Sequence, residues 1–161
     1  MNLVAPLLPP TNIVIGLEAG SKKRLFEQVG LVFENHQGIA VSQVYDALFT
    51  REKLGSTGLG QGVAIPHGRI KGLKRALGCF VRLAAPVQFE APDGKPVLMA
   101  FVLLVPEAAS EEHLEILSEL AQLFSVRSQR ESLAKAPDIE TIHSIFQNWQ
   151  ADAPPDSCPT V

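Results

Sequence analysis

A chain of 161 residues with 46% hydrophobic and 19% charged residues is expected to bury one core, which excludes disorder as its main state. The net charge of −3 excludes a broad basic footprint for nucleic acid. The longest apolar run, Val97 to Val105, is too short to span a membrane as a helix, and prolines interrupt the apolar residues at the N-terminus. We therefore expect a cytoplasmic protein without membrane insertion and without a nucleic-acid partner.

Two sequence features with possible functional meaning are given structural interpretations. Cys79 and Cys158 lack CxxC spacing and lie in unlike settings, so we expect neither a thiol zinc site nor a redox pair. The basic run from Lys22 to Arg24 is interpreted as the solvated first turn of a helix.

The first half of the chain shows two helical periods followed by short extended pieces. Glycines dominate residues 55–62, which predicts a loop rather than a regular element. The predicted elements are an extended segment over 7–17, a helix capped by Ser21 and ended by Gly38, a helix capped by Ser42 that ends near 54–55, a strand over 63–65 that stops at Pro66, and a turn over 67–69.

The second half predicts a central strand and three helices. Val97 to Val105 is almost wholly apolar, so this strand should be buried on both faces, whereas Arg82 suggests that the strand over 77–83 is covered on one side only. Ser110, Ser128 and Asp138 are predicted helix caps. The elements predict one α/β domain over residues 1–150, with a mixed β-sheet flanked by helices, and residues 151–161 are predicted to form a disordered tail.

Of the four histidines, His67 and His113 have the positions that invite a functional interpretation. His67 lies between Pro66 and Gly68 just after a strand, where an imidazole can project into an open cleft. His113 shares a predicted helix face with apolar residues, so it either fills the core or points to a site at the strand ends. His36 and His143 are interpreted as structural.

The glycine-rich loop does not match a nucleotide-binding motif. Gln61 stands where a Walker A lysine should be, the glycines have the wrong spacing for a kinase loop, and a helix rather than a strand leads into the loop. Its backbone N–H groups, with Ser56, Thr57 and the nearby Arg51, are groups that can bind a phosphoryl group. A plain turn remains the alternative.

The stretch from Arg51 to Gly68, REKLGSTGLGQGVAIPHG, resembles the phosphorylation-site motif of mannitol/fructose-type IIA proteins of the phosphoenolpyruvate-dependent phosphotransferase system. The resemblance extends over roughly residues 7–149. The Leu-Gly-Ser-Thr sequence at residues 54–57 and the absence of fused domains most resemble the nitrogen-regulatory members of that family.

This resemblance implies an α/β fold with a mixed sheet and a phosphoryl carrier that is phosphorylated on Nε2 of His67. It also implies that His113 is a second active-site histidine, that Arg51 lies beside the phosphohistidine, and that Ser56 and Thr57 bind the phosphoryl group. The implied donor is a small phosphohistidine carrier protein of the HPr type, and the output goes to regulatory target proteins that the sequence does not name. We expect no cofactor and no metal in this transfer.

Three other functions are considered. The chain could be the IIA unit of a sugar transporter that passes the phosphoryl group to a IIB domain. It could also be a non-catalytic binding regulator, although intact residues at positions 51, 67 and 113 argue against this. A zinc enzyme using His67 and His113 lacks a third ligand at metal spacing.

Overall fold

The computed structural model describes residues 2–109 and 111–150, which form one α/β domain. The strands are β1 (Ile13–Leu17), β2 (Gly58–Gly60), β3 (Val63–Ala64), β4 (His67–Ile70), β5 (Leu77–Val87) and β6 (Val97–Pro106). The helices are α1 (Lys22–Gln37), α2 (Val41–Glu52), α3 (Glu111–Ser125), α4 (Arg127–Lys135) and α5 (Ile139–Gln147). The predicted Ser110 cap and the predicted tail lie outside the described residues.

The six strands form one mixed sheet in the order β1-β5-β6-β3-β2, with β4 also paired to β6. β5 runs antiparallel to β6, whereas β3 and β4 lie parallel to β6 at successive positions along its other edge. The predicted α/β class and mixed sheet are confirmed. None of the helices within the described residues is long and apolar enough to cross a membrane.

Strand β6 lies at the centre of two hydrophobic layers, because its side chains alternate between the faces of the sheet. Phe101 and Leu103 face the layer formed with α3, α4 and α5, whereas Val102 and Leu104 face α1 and α2. All four side chains are fully buried. The prediction of a central strand buried on both faces is therefore confirmed.

The prediction that β5 is covered on one side only is wrong. Phe80 points to the face opposite Cys79 and packs edge to face against Phe146 of α5, with ring centroids 5.2 Å apart. Arg82, which suggested an exposed face, donates hydrogen bonds to the main-chain oxygens of Leu133 and Ala136. The charged group of Arg82 therefore lies at the end of α4, and this face of β5 remains covered.

Two predicted helix caps are confirmed and two are wrong. Ser21 accepts from the N–H of the third helical residue of α1, and Asp138 does the same for α5. Ser42 lies inside α2, because α2 begins at Val41, whose N–H donates to the Glu34 carboxylate of α1. Likewise, α4 begins before Ser128 and has no side-chain cap. A carboxylate from a neighbouring helix thus replaces the local cap of α2.

The predicted extended segment over 7–17 is extended only in part. Short 3₁₀ turns span Ala5–Leu7 and Pro10–Asn12, and the strand begins at Ile13. A proline lies in the first turn of each of them, where its fixed φ suits a helical turn and its missing N–H costs no hydrogen bond.

Candidate active site

An open cleft of about 570 Å³ lies where α2, β4 and the start of α3 meet. Its lining includes Arg51, His67 and His113, so the structure brings together three residues that the sequence analysis singled out. Arg69, which the sequence analysis did not single out, lines the same cleft. The exposed side chain of Leu54 also lines the cleft.

His67 is the first residue of β4, and the prediction of a turn over 67–69 is wrong. The backbone at Pro66 and His67 is held against the centre of β6, because Leu103 N–H donates to Pro66 O at 2.9 Å and β4 pairs in parallel with β6. The position of His67 is rigid, since the residue belongs to the sheet rather than to a loop. The four residues of β4 are too few to show the alternation of buried and exposed side chains that predicts a strand.

Gly68 allows β4 to approach α2 closely. A Cβ atom at this position would lie 2.7 Å from the main-chain carbon and oxygen of Ala47, closer than real contacts permit. Only glycine fits without moving the helix. This contact places His67 beside the last turn of α2, which carries Arg51.

The hydrogen bonding of the His67 ring defines which nitrogen is free. Nδ1 lies 2.9 Å from the main-chain oxygen of Ile65, and a carbonyl can only accept, so Nδ1 carries the proton in the neutral ring. Nε2 then keeps its lone pair. Partial burial lowers the pKa of His67, the bond to Ile65 opposes this change, and the charge of Arg51 adds to the lowering. The ring is therefore held in its neutral, nucleophilic form at neutral pH.

His113 lies directly beside His67. The two rings pack edge to face, with centroids 5.4 Å apart. Among the described residues, His113 Nε2 is buried without a hydrogen-bond partner. Burial lowers the pKa of His113, and the nearby charges of His67 and Arg69 lower it further. A buried nitrogen with unused hydrogen-bonding capacity at the edge of a cleft is suited to contact a bound group.

Arg51 belongs to the last turn of α2, where a positive charge interacts favourably with the helix dipole. Its Nη1 donates to Gly55 O at 2.8 Å, which ties the side chain to the start of the glycine-rich loop. Nη1 is the single guanidinium atom engaged among the described residues. The remaining N–H groups can serve an anion in the cleft.

Ser56 and Thr57 are not among the residues that line the cleft. The Ser56 hydroxyl donates to Phe89 O, and Thr57 is buried with its hydroxyl donating to the Glu52 carboxylate at 2.6 Å. Both hydroxyl hydrogens are thus engaged within the protein. Their predicted contact with a phosphoryl group stays a prediction, while the structure gives them a role in holding the loop.

Glu52 organises that loop, and the sequence analysis missed it. Its buried carboxylate accepts from Thr57 N–H at 3.0 Å and forms an ion pair with Lys22 of α1 at 2.9 Å. Lys22 is only 15% exposed, and its ammonium group lies 4.9 Å from the centroid of the Phe89 ring. The interpretation of Lys22 as a solvated helix residue is therefore wrong. Lys22 and Phe89 come from distant parts of the chain, so no local pattern reveals this cluster.

Arg69 is the second missed residue. It lies two positions after His67 in β4, which places both side chains on the same face of the strand. Its Nη1 donates to the main-chain oxygens of Glu107 and Ala109, just before α3. These two bonds hold residues 107–109 against β4. Had β4 been predicted as a strand, its period of two would have identified Arg69.

The arrangement combines a neutral imidazole nucleophile, a second imidazole and two guanidinium groups around one open cleft. Such a set can accept an anionic group on nitrogen and stabilise its oxygens. Residues 2–109 and 111–150 contain no group of three His, Cys, Asp or Glu side chains arranged to hold a metal ion. The zinc-enzyme alternative therefore gains no support from them. His36 and His143 are both absent from the lining of the cleft.

Comparison with known proteins gives one consistent family. The sequence profile described as "Phosphoenolpyruvate-dependent sugar phosphotransferase system, EIIA 2" matches residues 6–149. The chain is 43% identical over 145 residues to the nitrogen regulatory protein of Pseudomonas aeruginosa, covering 89% of this chain and 94% of that protein. It is also 36% identical over 143 residues to the nitrogen regulatory protein of Bradyrhizobium diazoefficiens, covering 89% of this chain and 94% of that protein.

Two solved structures extend the comparison to the fold. The crystal structure of nitrogen regulatory protein IIA-Ntr from Neisseria meningitidis matches with a TM-score of 0.85 and 54% identity, covering 90% of this chain and 99% of that one. The crystal structure of IIA mannitol from Escherichia coli matches with a TM-score of 0.72 at 21% identity, covering 86% and 97%, which is a likeness of fold alone. The chain belongs to the EIIA 2 family of the phosphoenolpyruvate-dependent sugar phosphotransferase system, with nitrogen regulatory proteins among its relatives.

Proposed function

We propose that this protein is a phosphoryl carrier that accepts a phosphoryl group on Nε2 of His67 from a small phosphohistidine carrier protein of the HPr type. The observation that carries the proposal is the hydrogen bond from His67 Nδ1 to Ile65 O, because it leaves the Nε2 lone pair free. The lowered pKa of His67 supports the same role, since a protonated ring could not attack phosphorus.

Two imidazole rings take part in the bond exchange, one from the donor histidine and one from His67. The lone pair of His67 Nε2 forms a bond to phosphorus as the N–P bond of the donor histidine breaks, and the electrons of that bond return to the donor ring. The donor leaves as a neutral imidazole because the other nitrogen of its phosphorylated ring carries a proton, and the phosphorylated His67 ring keeps its own proton on Nδ1. Transfer from His67 to an acceptor follows the reverse path. This suits a carrier, because a phosphoryl group on a histidine nitrogen is readily passed on.

Arg51 and His113 have different tasks in this proposal. Negative charge spreads over three phosphoryl oxygens in the transition state, so the free N–H groups of Arg51 stabilise it electrostatically. His113 uses its unpartnered Nε2 to contact a phosphoryl oxygen when that nitrogen carries a proton. Arg69 positions the segment before α3, and Glu52 positions the loop that follows Arg51.

The proposed output is regulatory. The relatives named nitrogen regulatory protein support a role in nitrogen regulation, in which the phosphorylation state of His67 is the signal read by target proteins. We place this exchange in the cytoplasm and assign it to residues 1–150, with residues 151–161 unnecessary for transfer. The second candidate is the IIA unit of a sugar transporter. One relative supports it, a protein of Haloferax volcanii that is named as a fructose-specific EIIA component.

The experiment is reconstitution with phosphoenolpyruvate, the first enzyme of the cascade and the carrier protein, followed by intact-mass measurement. We expect one phosphoryl group that is lost in acid and kept in base. His67→Ala should abolish it with the fold preserved, while the control His143→Ala should be labelled fully. Labelling of His67→Ala to the wild-type level would sink the proposal. Addition of a IIB domain then tests the second candidate, which requires rapid loss of the label to IIB.

A further inference from the structure

Lys22 lies where local electrostatics disfavours a lysine. It is the first residue of α1, where the helix dipole opposes a positive charge, and the first turn of α1 holds no acidic residue. Its side chain is nevertheless largely withdrawn from water, whereas the neighbouring Lys23 and Arg24 are exposed. Burial of a charge is costly unless a partner offsets it. The compensation for Lys22 therefore comes from another part of the chain.

The partner of Lys22 is the carboxylate of Glu52, the last residue of α2. Lys22 Nζ lies 2.9 Å from Glu52 Oε2, and the Glu52 side chain is buried. A second ion pair, from Lys22 to Glu90, is longer at 3.8 Å, and the Glu90 side chain is exposed, so this pair adds little. Loss of Lys22 would therefore act mainly on Glu52.

Glu52 in turn holds Thr57, the residue that precedes β2. The N–H of Thr57 donates to Glu52 Oε2 at 3.0 Å, the same oxygen that Lys22 contacts, and the Thr57 hydroxyl donates to Oε1 at 2.6 Å. Both carboxylate oxygens therefore hold one residue of the glycine-rich loop. Without Lys22 the buried carboxylate has no counter-charge, which favours its movement toward water and away from Thr57.

Thr57 is joined to His67 by two hydrogen bonds that meet at Ile65. The N–H of Ile65 donates to Thr57 O at 3.0 Å, and Ile65 O accepts from His67 Nδ1 at 2.9 Å. Ile65 is buried between β3 and β4, so its N–H and its carbonyl depend on these two partners. A shift of Thr57 therefore moves the carbonyl that decides which nitrogen of the His67 ring carries the proton.

Two further observations connect Glu52 with the active site. The N–H of Gly55 donates to the main-chain oxygen of Glu52 at 3.1 Å, and Gly55 O accepts from Arg51, so Glu52 also holds the residue that fixes the guanidinium group. The carboxylate of Glu52 is close enough to His67 for its charge to raise the pKa of that ring, against the lowering by burial and by Arg51. The position of this carboxylate therefore affects both the nucleophile and the guanidinium.

We propose that Lys22 is a positioning residue for phosphoryl acceptance on His67. It acts through the carboxylate of Glu52, which holds Thr57 and thereby Ile65. This inference rests on the proposed function, because it names the contacts that keep His67 Nε2 free to attack. Lys22 is absent from the lining of the active-site cleft, so it sets the tautomer of the ring and takes no part in the bond exchange.

The test compares Lys22→Met with Lys23→Met, which removes an exposed charge at the next position of the same helix. The first readout is the tautomer of His67, taken from the NMR shifts of its two ring nitrogens above the pKa of the ring. The second readout is the rate at which phosphoramidate, a small chemical donor, phosphorylates His67. The variant His67→Ala assigns the NMR signals and supplies the background label. Neither readout requires the carrier protein.

Further variants separate positioning from stability. Phe33→Leu weakens the packing of a fully buried residue near the other end of α1, and thermal unfolding identifies a temperature at which every variant is folded. Lys22→Arg keeps the charge and should restore both readouts to the wild-type values. If Lys22→Met does not fold, Lys22→Gln replaces it with the same expectation, because it removes the charge and keeps a polar group.

We expect the proton on Nε2 in at least about half of the His67 rings of folded Lys22→Met, because the bond that favours Nδ1–H is weakened. Phosphoramidate should then react at least about twofold more slowly, since only the Nδ1–H tautomer has a free lone pair on Nε2. Lys23→Met and Phe33→Leu should match the wild type in both readouts.

A wild-type tautomer or a wild-type phosphoramidate rate in folded Lys22→Met would overturn the positioning role, even if its unfolding temperature falls. The same change of tautomer in Phe33→Leu would also overturn it, because the effect would then follow from lost stability. If instead the wild type takes no phosphate on His67 from either phosphoramidate or the carrier protein, the proposed function fails, and the tautomer readout alone decides the role of Lys22.

Discussion

The imidazole rings of His67 and His113 meet edge to face across the active-site cleft, at a centroid separation of 5.4 Å. His67 is held by the sheet and His113 by the first turn of α3, so the pair depends on the contact between these two elements. At this separation the protonation of one ring responds to the charge on the other. When His67 is protonated, its positive charge lowers the pKa of His113.

Phosphorylation should reverse that influence. A phosphoryl group on His67 replaces a neutral or cationic neighbour with a negative one, which favours the protonated form of His113. We expect the pKa of His113 to rise from its lowered value to a higher one in the phosphorylated protein. Protonated His113 would then donate to the phosphoryl oxygens.

The measurement is an NMR titration of the His113 ring before and after phosphorylation. A His113 titration midpoint that stays constant or falls on phosphorylation would show that the two rings do not act as a coupled pair.

Arg51→Lys should slow phosphoryl transfer by at least about tenfold, which corresponds to about 1.4 kcal/mol of transition-state stabilisation. Lysine keeps the charge but loses the planar fork of donors, and with it the simultaneous bond to Gly55 O and contact with a phosphoryl oxygen. Single-turnover transfer from the phosphorylated carrier measures the rate. The matched control is Arg24→Lys, an exposed residue of α1, which should leave the rate unchanged.

An unchanged single-turnover rate in Arg51→Lys would show that the guanidinium geometry is not needed. A rate loss accompanied by unfolding would be detected by thermal denaturation, and Arg51→Gln provides a second, uncharged variant. We expect the Gln variant to be slower than the Lys variant, because it removes the charge as well as the fork.

The sequence could predict the features that arise from local patterns. β6 is recognisable as a buried strand because nine of its residues form an unbroken apolar run, and Ser21 and Asp138 cap helices through contacts three residues away. The site histidines and Arg51 followed from resemblance to a family motif, and the structure places them around one cleft. Composition and spacing alone did not decide whether His113 belongs to the core or to a site.

The features that the sequence did not predict depend on contacts between distant segments. Glu52 is buried because Lys22 and Thr57 surround it, and Lys22 is thirty residues away in the chain. Likewise, the second covered face of β5 becomes visible only when α5 places Phe146 against Phe80. Such pairings are set by tertiary packing, which overrides the local tendency of lysine and glutamate to be exposed.

Thr57→Val should destabilise the protein by about 1–3 kcal/mol, because it removes a hydrogen bond to a buried carboxylate. Valine has nearly the same shape, so the loss reports the hydroxyl. Thr50→Val is the control, because Thr50 is exposed and its hydroxyl donates only to the Asp46 main-chain oxygen within α2, so the free energy of unfolding should change by less than about 0.5 kcal/mol. Chemical denaturation measures both.

The same variant separates two roles for the Thr57 hydroxyl. If it only holds the loop, transfer in Thr57→Val should be recovered at low temperature, where the fold is fully populated. If the hydroxyl binds the phosphoryl group, as the family resemblance implies, transfer should stay slow at every temperature. Ser56→Ala offers the parallel comparison, since the Ser56 hydroxyl donates to Phe89 O.

His113 is where a structural and a functional role can be told apart most sharply. It lies on the inner side of α3, in line with the buried Leu120 and Phe124, yet its Nε2 has no hydrogen-bond partner among the described residues. A residue that only fills the core would, when changed to Ala, cost about 1–3 kcal/mol of stability and leave transfer intact. A residue that contacts the phosphoryl group would leave a folded protein with slow transfer.

His113→Gln sharpens the distinction, because the amide keeps a hydrogen-bond donor and removes the ring that titrates. We expect the Gln variant to be phosphorylated on His67 but to release the phosphoryl group to its acceptor more slowly than the wild type. The reason is that protonated His113 can lose its proton and loosen its hold, whereas the amide cannot change its charge. Quenched-flow rates in both directions test this, and wild-type rates in both directions together with a destabilised His113→Ala would assign His113 to the core.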